Sequence, residues 1–188
     1  MEVTAIVFAL IYLWLAARQS LWCWLAGAIS CAIYTYLMFG VQLYMEAGLQ
    51  AIYVVLAVYG WWQWRYGVAQ APASEQMEYS WYWHGAAIIV LALIASLCAW
   101  LLTLYTDADQ VWLDSFTTVY SLFATWLLTR KLFSNWLYWL VIDSVYIYLY
   151  AIKGFEKTSG LFAIYVLLIV YAMWNWRRSQ KDLCSSTG

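Results

Sequence analysis

A gapless internal repeat constrains the architecture of this chain more than any other feature of its sequence. When the sequence is shifted by 112 positions, residues 18–65 align with residues 130–177, and 18 of the 48 aligned pairs are identical. The matched pairs include Arg18/Arg130, Trp24/Trp136, Tyr34/Tyr146, Gly48/Gly160, Tyr53/Tyr165, Trp64/Trp176 and Arg65/Arg177. Apolar stretches often match by chance, but a run of this length that also matches arginines and glycines indicates a duplication.

Seven apolar runs follow one another along the 188 residues, of which 66% are hydrophobic and only 10% are charged. Soluble domains carry about 25% charged residues, so this composition excludes a chain with much soluble mass. A helix needs roughly 20 mainly apolar residues to cross a bilayer. The runs cover residues 3–18, 21–40, 43–64, 83–104, 111–129, 133–152 and 159–176. The sequence therefore predicts an all-α polytopic membrane protein with seven transmembrane helices.

The repeat and the seven runs together predict how the helices are arranged. Runs one to three recur as runs five to seven, and the fourth run gives the second copy the same orientation as the first. Secondary transporters include such parallel repeats, with substrate sites near the membrane midplane between the repeats. The predicted division is 1–65 for the first three-helix repeat, 66–110 for the linker and fourth helix, 111–177 for the second repeat and 178–188 for a cytoplasmic tail.

Basic residues are distributed unevenly between the two ends of the predicted spans. Seven Lys and Arg residues follow odd-numbered spans, whereas only Lys153 and Lys157 follow even-numbered spans. The seven are Arg18, Arg65, Arg130, Lys131, Arg177, Arg178 and Lys181. Because basic residues are enriched in cytoplasmic loops, we expect the C-terminus in the cytoplasm and the N-terminus outside.

Eight tryptophans cluster near these predicted cytoplasmic ends. They are Trp22, Trp24, Trp61, Trp62, Trp64, Trp136, Trp174 and Trp176. Tryptophan is enriched at membrane–water interfaces, so most of them are expected to be interfacial anchors. A tryptophan is assigned to a ligand site only where a second feature supports that assignment.

The two repeats differ most on one face of their middle spans. In the sixth span, aromatic and acidic residues recur at steps of three and four, which places them on one side of a helix. That face comprises Trp136, Trp139, Asp143, Tyr146 and Tyr150, and the matching face of the second span comprises Trp24, Gly27, Cys31, Tyr34 and Met38. Candidate binding residues on these two faces are Trp136, Trp139, Asp143 and Tyr146, with Trp24 and Tyr34. The asymmetry places a carboxylate, Asp143, and an indole, Trp139, together on one side only.

Asp143 stands in the middle of an apolar span with no Lys or Arg within nine residues on either side. An ionised Asp at the bilayer centre costs about 2.5–3.5 kcal/mol on insertion scales. One interpretation is a protonated Asp that is hydrogen-bonded to a neighbouring group. The other is a counter-charge for a cation held between aromatic faces, where cation–π attraction contributes up to about 2 kcal/mol. A flat cationic heterocycle would use both the charge and the rings.

Further candidate binding residues lie in the third span and at the start of the sixth. Gln50 and Tyr53 are three residues apart, and Gln50 aligns with Phe162 of the second repeat. Gln50 is interpreted either as a polar contact between helices or as a ligand donor. Glu46, one turn earlier, is interpreted as an interfacial charge or a site residue, and Asn135 directly precedes the Trp136 face.

Enzyme chemistry finds no support in the sequence. The single histidine, His84, has no Cys or carboxylate cluster at metal-binding spacing. No phosphate-binding glycine loop and no GxSxG or HExxH motif is present. Neither a cofactor nor a metal is predicted, and the net charge of −1 argues against a nucleic-acid partner. The four cysteines are interpreted as small packing residues.

Several of these blocks together resemble one known family, the Pnu-type vitamin transporters. The blocks are RQSLWCWLAG, LYMEAGLQAIYVVLAVYGWWQW and NWLYWLVID…YLYAIKG followed by LFAIYVLL…WNWRR. The resemblance implies a 3+1+3 helix fold related to SWEET-type transporters in a bacterial inner membrane. It also implies facilitated diffusion of an unphosphorylated vitamin that a cytosolic kinase then traps, with homotrimers possible. The family's binding positions fall on Gln50, Asn135, Trp136 and Trp139.

The sequence departs from the pattern of the branch of this family that carries nicotinamide riboside. That branch reads R-x-N-x-x-x-W-P before its second span, whereas this chain has Ser20 and Leu25 in place of the Asn and Pro. It also has Asp143 where that branch carries an Asn. Thiamine ranks first, because it carries a permanent charge and its aminopyrimidine edge can pair with a carboxylate. Nicotinamide riboside ranks second because of these departures, and riboflavin third because it is uncharged. A proton-coupled carrier and a subunit of a larger importer are the other hypotheses.

Overall fold

The computed structural model describes residues 2–40, 44–67, 69–70, 77–105, 111–152 and 156–186. This part of the chain forms seven α-helices and no strand. The helices are α1 (Glu2–Ala17), α2 (Cys23–Gly40), α3 (Tyr44–Tyr66), α4 (Trp81–Tyr105), α5 (Val111–Thr129), α6 (Ser134–Ile152) and α7 (Glu156–Ser186). Each of the seven apolar runs corresponds to one helix, so the all-α prediction is confirmed. Only α7 extends far beyond its run.

Composition differs between the helices because they face different surroundings. Three described segments are long and apolar enough to cross a membrane, Cys23–Gly40, Trp81–Tyr105 and Ser159–Arg178, and Val3–Ala17 is a shorter apolar helix. By contrast, α5 carries buried polar residues along its length, namely Ser115, Thr117, Ser121, Thr125 and Thr129. Buried hydroxyls need hydrogen-bond partners, and those of Thr117 and Thr125 donate to carbonyls one turn earlier at 2.9 and 2.8 Å.

Six of the helices close into a ring. The order of neighbours around the ring is α1, α2, α3, α5, α6 and α7, and α7 packs back against α1. Within the described chain, the backbone of α4 lies close to that of α5 alone, and α4 is outside the ring, where its His84 reaches Tyr138 of α6. The two three-helix repeats therefore meet at two equivalent seams, α3 with α5 and α7 with α1. This is the predicted arrangement of two parallel repeats joined by a linker helix.

The turn between the first two helices of each repeat is the same in both copies. Gln19 and Lys131, which are 112 positions apart, both adopt a left-handed conformation, with φ of 55° and 53°. The next amide nitrogen, Ser20 or Leu132, donates to the carbonyl of Leu15 or Leu127 at 2.9 or 3.2 Å. This is the Schellman pattern that ends helices, here without the glycine that usually occupies the left-handed position.

A layer of four buried tryptophans fills the ring near the helix ends that carry Arg18, Arg65, Arg130 and Arg177. We call these helix ends the basic end and the four side chains the tryptophan layer, which comprises Trp24, Trp64, Trp136 and Trp176. Trp24 meets Trp64 edge to face at 5.4 Å and 88°, and Trp136 meets Trp176 at 5.4 Å and 89°. The expectation that most of the eight clustered tryptophans are interfacial anchors does not hold for these four, because all four lie in the core between the helices. Trp22, Trp62 and Trp174 are exposed as expected.

The tryptophan layer joins the two repeats by equivalent hydrogen bonds. Nε1 of Trp64 donates across one seam to the carbonyl of Leu128 at 3.1 Å. Nε1 of Trp176 donates across the other seam to the carbonyls of Ala16 and Ala17 at 3.3 and 3.0 Å. These carbonyls belong to the last turns of α5 and α1. Those of Leu128 and Ala16 also accept from the backbone amides of Lys131 and Gln19 at 2.9 and 3.0 Å. Each repeat thus contributes an additional hydrogen bond to a helix end of the other.

Candidate functional site

A cavity of about 380 Å³ lies inside the ring, beside the tryptophan layer. All six helices of the ring contribute to its walls, and α4 does not. It therefore lies between the two repeats, where the sequence places a substrate site. Trp24 and Trp136 border the cavity at its end nearest the basic end.

One side of the cavity is aromatic and contains a carboxylate. Asp143 of α6 is only 5% exposed and lines the cavity with Trp139 and Tyr146 of the same helix face. The ring of Tyr146 stacks on that of Phe162 at 4.8 Å, and Phe162 meets Tyr165 edge to face at 5.6 Å. In the part of the chain that the structure describes, no hydrogen bond or ion pair reaches the Asp143 carboxylate. A buried, unpaired carboxylate is costly, so this side of the cavity suits a cation.

A second part of the cavity wall is polar and uncharged. Gln50 and Tyr53 of α3 line it together with Thr118, Ser121 and Thr125 of α5. Because α3 and α5 form one of the seams, these side chains come from both repeats. The phenolic oxygen of Tyr53 lies 2.5 Å from Oγ of Ser121. We call Tyr53, Thr118, Ser121 and Thr125 the hydroxyl wall.

The α5 part of the hydroxyl wall was not among the residues predicted from the sequence. A signal was available, because the same shift of 112 positions aligns Thr118, Ser121 and Thr125 with three apolar residues of the first helix. These are Ile6, Ala9 and Leu13. Polar residues that replace apolar ones at steps of three and four on one helix face are the same type of asymmetry that identified Asp143.

The two repeats use opposite combinations of large and small side chains beside the cavity. In the first repeat, Tyr12 of α1 lies over Gly27 of α2, where a Cβ atom would come within 2.9 Å of Cδ2 of Tyr12. In the second repeat the aligned residues are Ala124 and Trp139, so the large ring comes from α6. The exchange of Gly27 for Trp139, noted from sequence, is thus accompanied by the loss of the tyrosine that would fill the same space.

Eight of the ten predicted site residues line the cavity. They are Trp24, Tyr34, Gln50, Tyr53, Trp136, Trp139, Asp143 and Tyr146. Asn135 is fully buried but lies outside the lining, because its Nδ2 turns back to the carbonyl of Leu132 at 2.5 Å in the turn before α6. The side chain of Glu46 is outside the part of the chain that the structure describes. Among the described residues, no group of His, Cys, Asp and Glu has the arrangement of a metal site.

A larger groove of about 1300 Å³ lies outside the ring, between α4, α5 and α6. His84 lines it, and its Nδ1 lies 3.2 Å from the hydroxyl of Tyr138. This groove is on the outer surface of the bundle, away from the seam between the repeats. The central cavity, with its buried carboxylate, is therefore the candidate site for a transported ligand.

A six-helix ring of two parallel repeats around a central cavity defines a membrane transporter of the type built from duplicated three-helix units. Residues 1–178 match the family model described as nicotinamide mononucleotide transporter. The chain belongs to this family, so it is a multi-pass membrane transporter rather than a member of an enzyme family.

Individual relatives agree with this assignment. The chain is 29% identical over 180 residues to the riboflavin/roseoflavin transporter RibM of Streptomyces davaonensis, which covers 94% of this chain and 84% of that protein. It is 22% identical over 207 residues to the nicotinamide riboside transporter PnuC of Escherichia coli, covering 96% and 86%. A crystal structure of the vitamin B3 transporter PnuC superposes with a TM-score of 0.76 at 20% identity, covering 96% of this chain and 82% of that one.

These comparisons confirm the resemblance to the Pnu-type transporters and the fold that it implied. They do not support the first choice of substrate, since none of the relatives named above is described as a thiamine transporter. Nicotinamide riboside and riboflavin, which ranked second and third from the sequence, are the vitamins that appear in the names of these relatives.

Proposed function

We propose that this chain carries an unphosphorylated vitamin across the membrane by facilitated diffusion, and that nicotinamide riboside is its foremost substrate. The observation that carries the proposal is Asp143, a carboxylate buried in a cavity with aromatic walls and without a cationic partner among the described residues. A positively charged flat ring would neutralise the carboxylate and stack on Tyr146 or Trp139. Nicotinamide riboside carries such a ring, a pyridinium.

Two independent criteria favour nicotinamide riboside over the other vitamins. The carboxylate favours a cation, which nicotinamide riboside and thiamine satisfy but riboflavin does not. The relatives favour nicotinamide riboside and riboflavin over thiamine. Only nicotinamide riboside meets both criteria, so it replaces thiamine as the first candidate.

Riboflavin is the second candidate, because the riboflavin/roseoflavin transporter shares more identical residues with this chain than the Escherichia coli nicotinamide riboside transporter does, 29% against 22%. Its flavin ring is flat and fits between aromatic walls. It is uncharged, however, and leaves Asp143 without a counter-charge.

The route for the substrate passes through the ring. The tryptophan layer fills the ring between the cavity and the basic end, so passage towards that end requires the two repeats to separate at their seams. We expect the basic end to face the cytoplasm and a cytosolic kinase to trap the imported vitamin. In this mechanism the chain is a uniporter and uses no ATP.

The first test is ligand binding and transport by the Asp143→Asn variant, with nicotinamide riboside, riboflavin and thiamine side by side. Purified protein in detergent gives affinities, and protein reconstituted in liposomes gives uptake. The variant should lose at least about 10-fold in affinity for nicotinamide riboside, because one member of a buried charge pair is removed. Its affinity for riboflavin should change little.

A matched control is Cys31→Ser, which alters the position aligned with Asp143 on the other side of the cavity. It should leave the affinity for nicotinamide riboside within about twofold, since it neither adds nor removes a charge. Undiminished nicotinamide riboside uptake by the Asp143→Asn variant would exclude the counter-charge role. Accumulation against a gradient when the liposomes carry a pH difference would replace the uniporter by a proton-coupled carrier.

A further inference from the structure

The hydroxyl wall differs from the rest of the cavity in what it offers to a ligand. Oγ of Ser121 donates its hydrogen to the carbonyl of Thr118 at 2.9 Å, and Oγ1 of Thr125 donates to the carbonyl of Ser121 at 2.8 Å. A hydroxyl has a single hydrogen and two lone pairs. The hydroxyl of Tyr53 lies 2.5 Å from Oγ of Ser121, and either oxygen can supply the hydrogen of that contact.

Ser121 and Thr125 thus direct their hydrogens to carbonyls of their own helix. Both border the cavity, so the α5 part of the wall presents acceptor oxygens to a ligand. Asp143, on the aromatic side, is also an acceptor when ionised. A ligand that matches this cavity carries both a positive charge and hydrogen-bond donors.

The wall exists in one repeat seam only. At the other seam, between α7 and α1, the cavity is lined by Ala9 and Leu13 where α5 has Ser121 and Thr125, and by Phe162 where α3 has Gln50. The ring of Tyr165 takes the place of Tyr53 there, and its aligned neighbour is Ala9 rather than a serine. The two seams therefore present different chemistry to the cavity, which would bind an asymmetric ligand in one orientation.

We propose that the hydroxyl wall accepts hydrogen bonds from the alcohol groups of the transported vitamin, while the vitamin's ring lies on the Asp143 side. This inference rests on the proposed function and adds the part of the substrate that the wall recognises. Ser121 and Thr118, which both line the cavity, are then specificity-determining residues. They select vitamins with a hydroxylated substituent over the same ring without one.

The test compares two ligands that share a ring and differ in the hydroxylated part. Nicotinamide riboside and 1-methylnicotinamide both contain the pyridinium, but only the first has a ribose. Affinities are measured on detergent-purified protein for wild type, Ser121→Ala and Thr118→Val. Each substitution should weaken nicotinamide riboside by about 3- to 10-fold, the effect of one neutral hydrogen bond. Each should leave 1-methylnicotinamide within about twofold.

Thr117→Val is the matched control. Thr117 is the neighbour of Thr118, and its hydroxyl also donates to the helix backbone, but it lines the outer groove instead of the cavity. It should leave both affinities unchanged. Because Ser121→Ala also removes the bond from Tyr53, the thermal unfolding temperature of every variant is recorded, and Thr118→Val remains informative if Ser121→Ala does not fold.

The outcomes separate this inference from the proposed function. Equal losses for both ligands would overturn the inference, as would no loss for nicotinamide riboside in folded Ser121→Ala and Thr118→Val. If the wild type binds riboflavin instead of nicotinamide riboside, the proposed substrate is wrong. Riboflavin against lumiflavin, which has the same ring with a methyl group in place of the ribityl chain, then tests the wall in the same way. If the wild-type protein has no measurable affinity for thiamine, nicotinamide riboside or riboflavin, both the proposed function and this inference are overturned.

Discussion

The tryptophan layer and the central cavity adjoin each other in the same ring, yet the internal repeat is preserved in one and broken in the other. In the layer, both Trp pairs have the same geometry and both seams have a cross-repeat indole hydrogen bond. In the cavity, Asp143, Trp139 and Ser121 replace Cys31, Gly27 and Ala9. Packing the two repeats together therefore requires equivalent residues at aligned positions, whereas recognition of an asymmetric ligand requires different ones.

The largest expected effect is the loss of stability on replacing Gly60, which lies against Trp24 of the tryptophan layer. A Cβ atom at Gly60 would lie 2.5 Å from ring atoms of Trp24, which is 1% exposed and cannot move aside. The aligned residue in the second repeat is Ala172, so there the layer already accommodates a methyl group. Gly60→Ala should lower the free energy of unfolding by about 3 kcal/mol, the upper end for overpacking.

The reverse substitution at the aligned position of the second repeat, Ala172→Gly, is the control. It introduces no overlap and should cost only about 1 kcal/mol, the helix penalty of glycine. Thermal unfolding of the purified protein measures both. Similar losses from the two substitutions would show that the tryptophan layer is less tightly packed at Gly60 than the distances indicate.

The next effect tests whether the large-for-small exchange beside the cavity is a compensated pair. Gly27→Trp alone should destabilise the protein by about 2–3 kcal/mol, because Tyr12 already occupies that space. Adding Tyr12→Ala reproduces the Ala124/Trp139 arrangement of the second repeat and should recover at least half of the loss. A double-mutant cycle on unfolding free energies measures the coupling. Additive losses would mean that the two sites do not share a space.

A smaller loss of stability is expected when the hydrogen bonds that join the repeats are removed one at a time. Nε1 of Trp176 bonds to α1, whereas Nε1 of its neighbour Trp136 is buried and has no partner among the described residues. Trp176→Phe should therefore cost about 1 kcal/mol more than Trp136→Phe, the net value of a buried hydrogen bond. Trp64→Phe and Trp24→Phe should differ by the same amount in the first repeat. Unfolding free energies of the four variants check whether the two seams are equivalent.

The sequence was sufficient for the fold because its strongest signals are periodic. Seven apolar runs and a shift of 112 positions determine seven helices in two equivalent repeats. The same alignment located Asp143, because a charge in an apolar span stands out. It could not show that Trp64 and Trp176 are buried between helices, since a tryptophan near a helix end has the same pattern at a lipid interface as in a core.

The missed and misplaced parts of the site have a common cause. Asn135 directly precedes the face that carries Trp136 and Asp143, yet its side chain bonds to the preceding turn. Helix periodicity cannot predict such a side-chain hydrogen bond. Ser121 and Thr125 bond to their own helix and resemble ordinary buried hydroxyls in sequence. Only the neighbouring α3, which brings Tyr53 to Ser121, makes them part of a cavity wall.

The smallest expected effect concerns the one charge that breaks the equivalence of the tryptophan layer. Lys131, aligned with Gln19, is 7% exposed in the turn between α5 and α6, and its Nζ lies 4.7 Å from the ring of Trp64 in the other repeat. Burial lowers the pKa of its ammonium group below the ordinary value of 10.5. Cation–π attraction and the cost of burial oppose each other, so Lys131→Gln should change the unfolding free energy by less than about 1 kcal/mol at neutral pH.

The pH dependence of this difference has a definite sign. When a lysine has a lower pKa in the folded than in the unfolded state, the unfolded state binds more protons between the two values, and stability rises with pH there. The wild type should therefore gain stability relative to Lys131→Gln as the pH approaches 10.5, the ordinary lysine value. Unfolding of both proteins between neutral and alkaline pH measures the gain. A difference that stays constant with pH would mean that Lys131 keeps an ordinary pKa and is better hydrated than its burial implies.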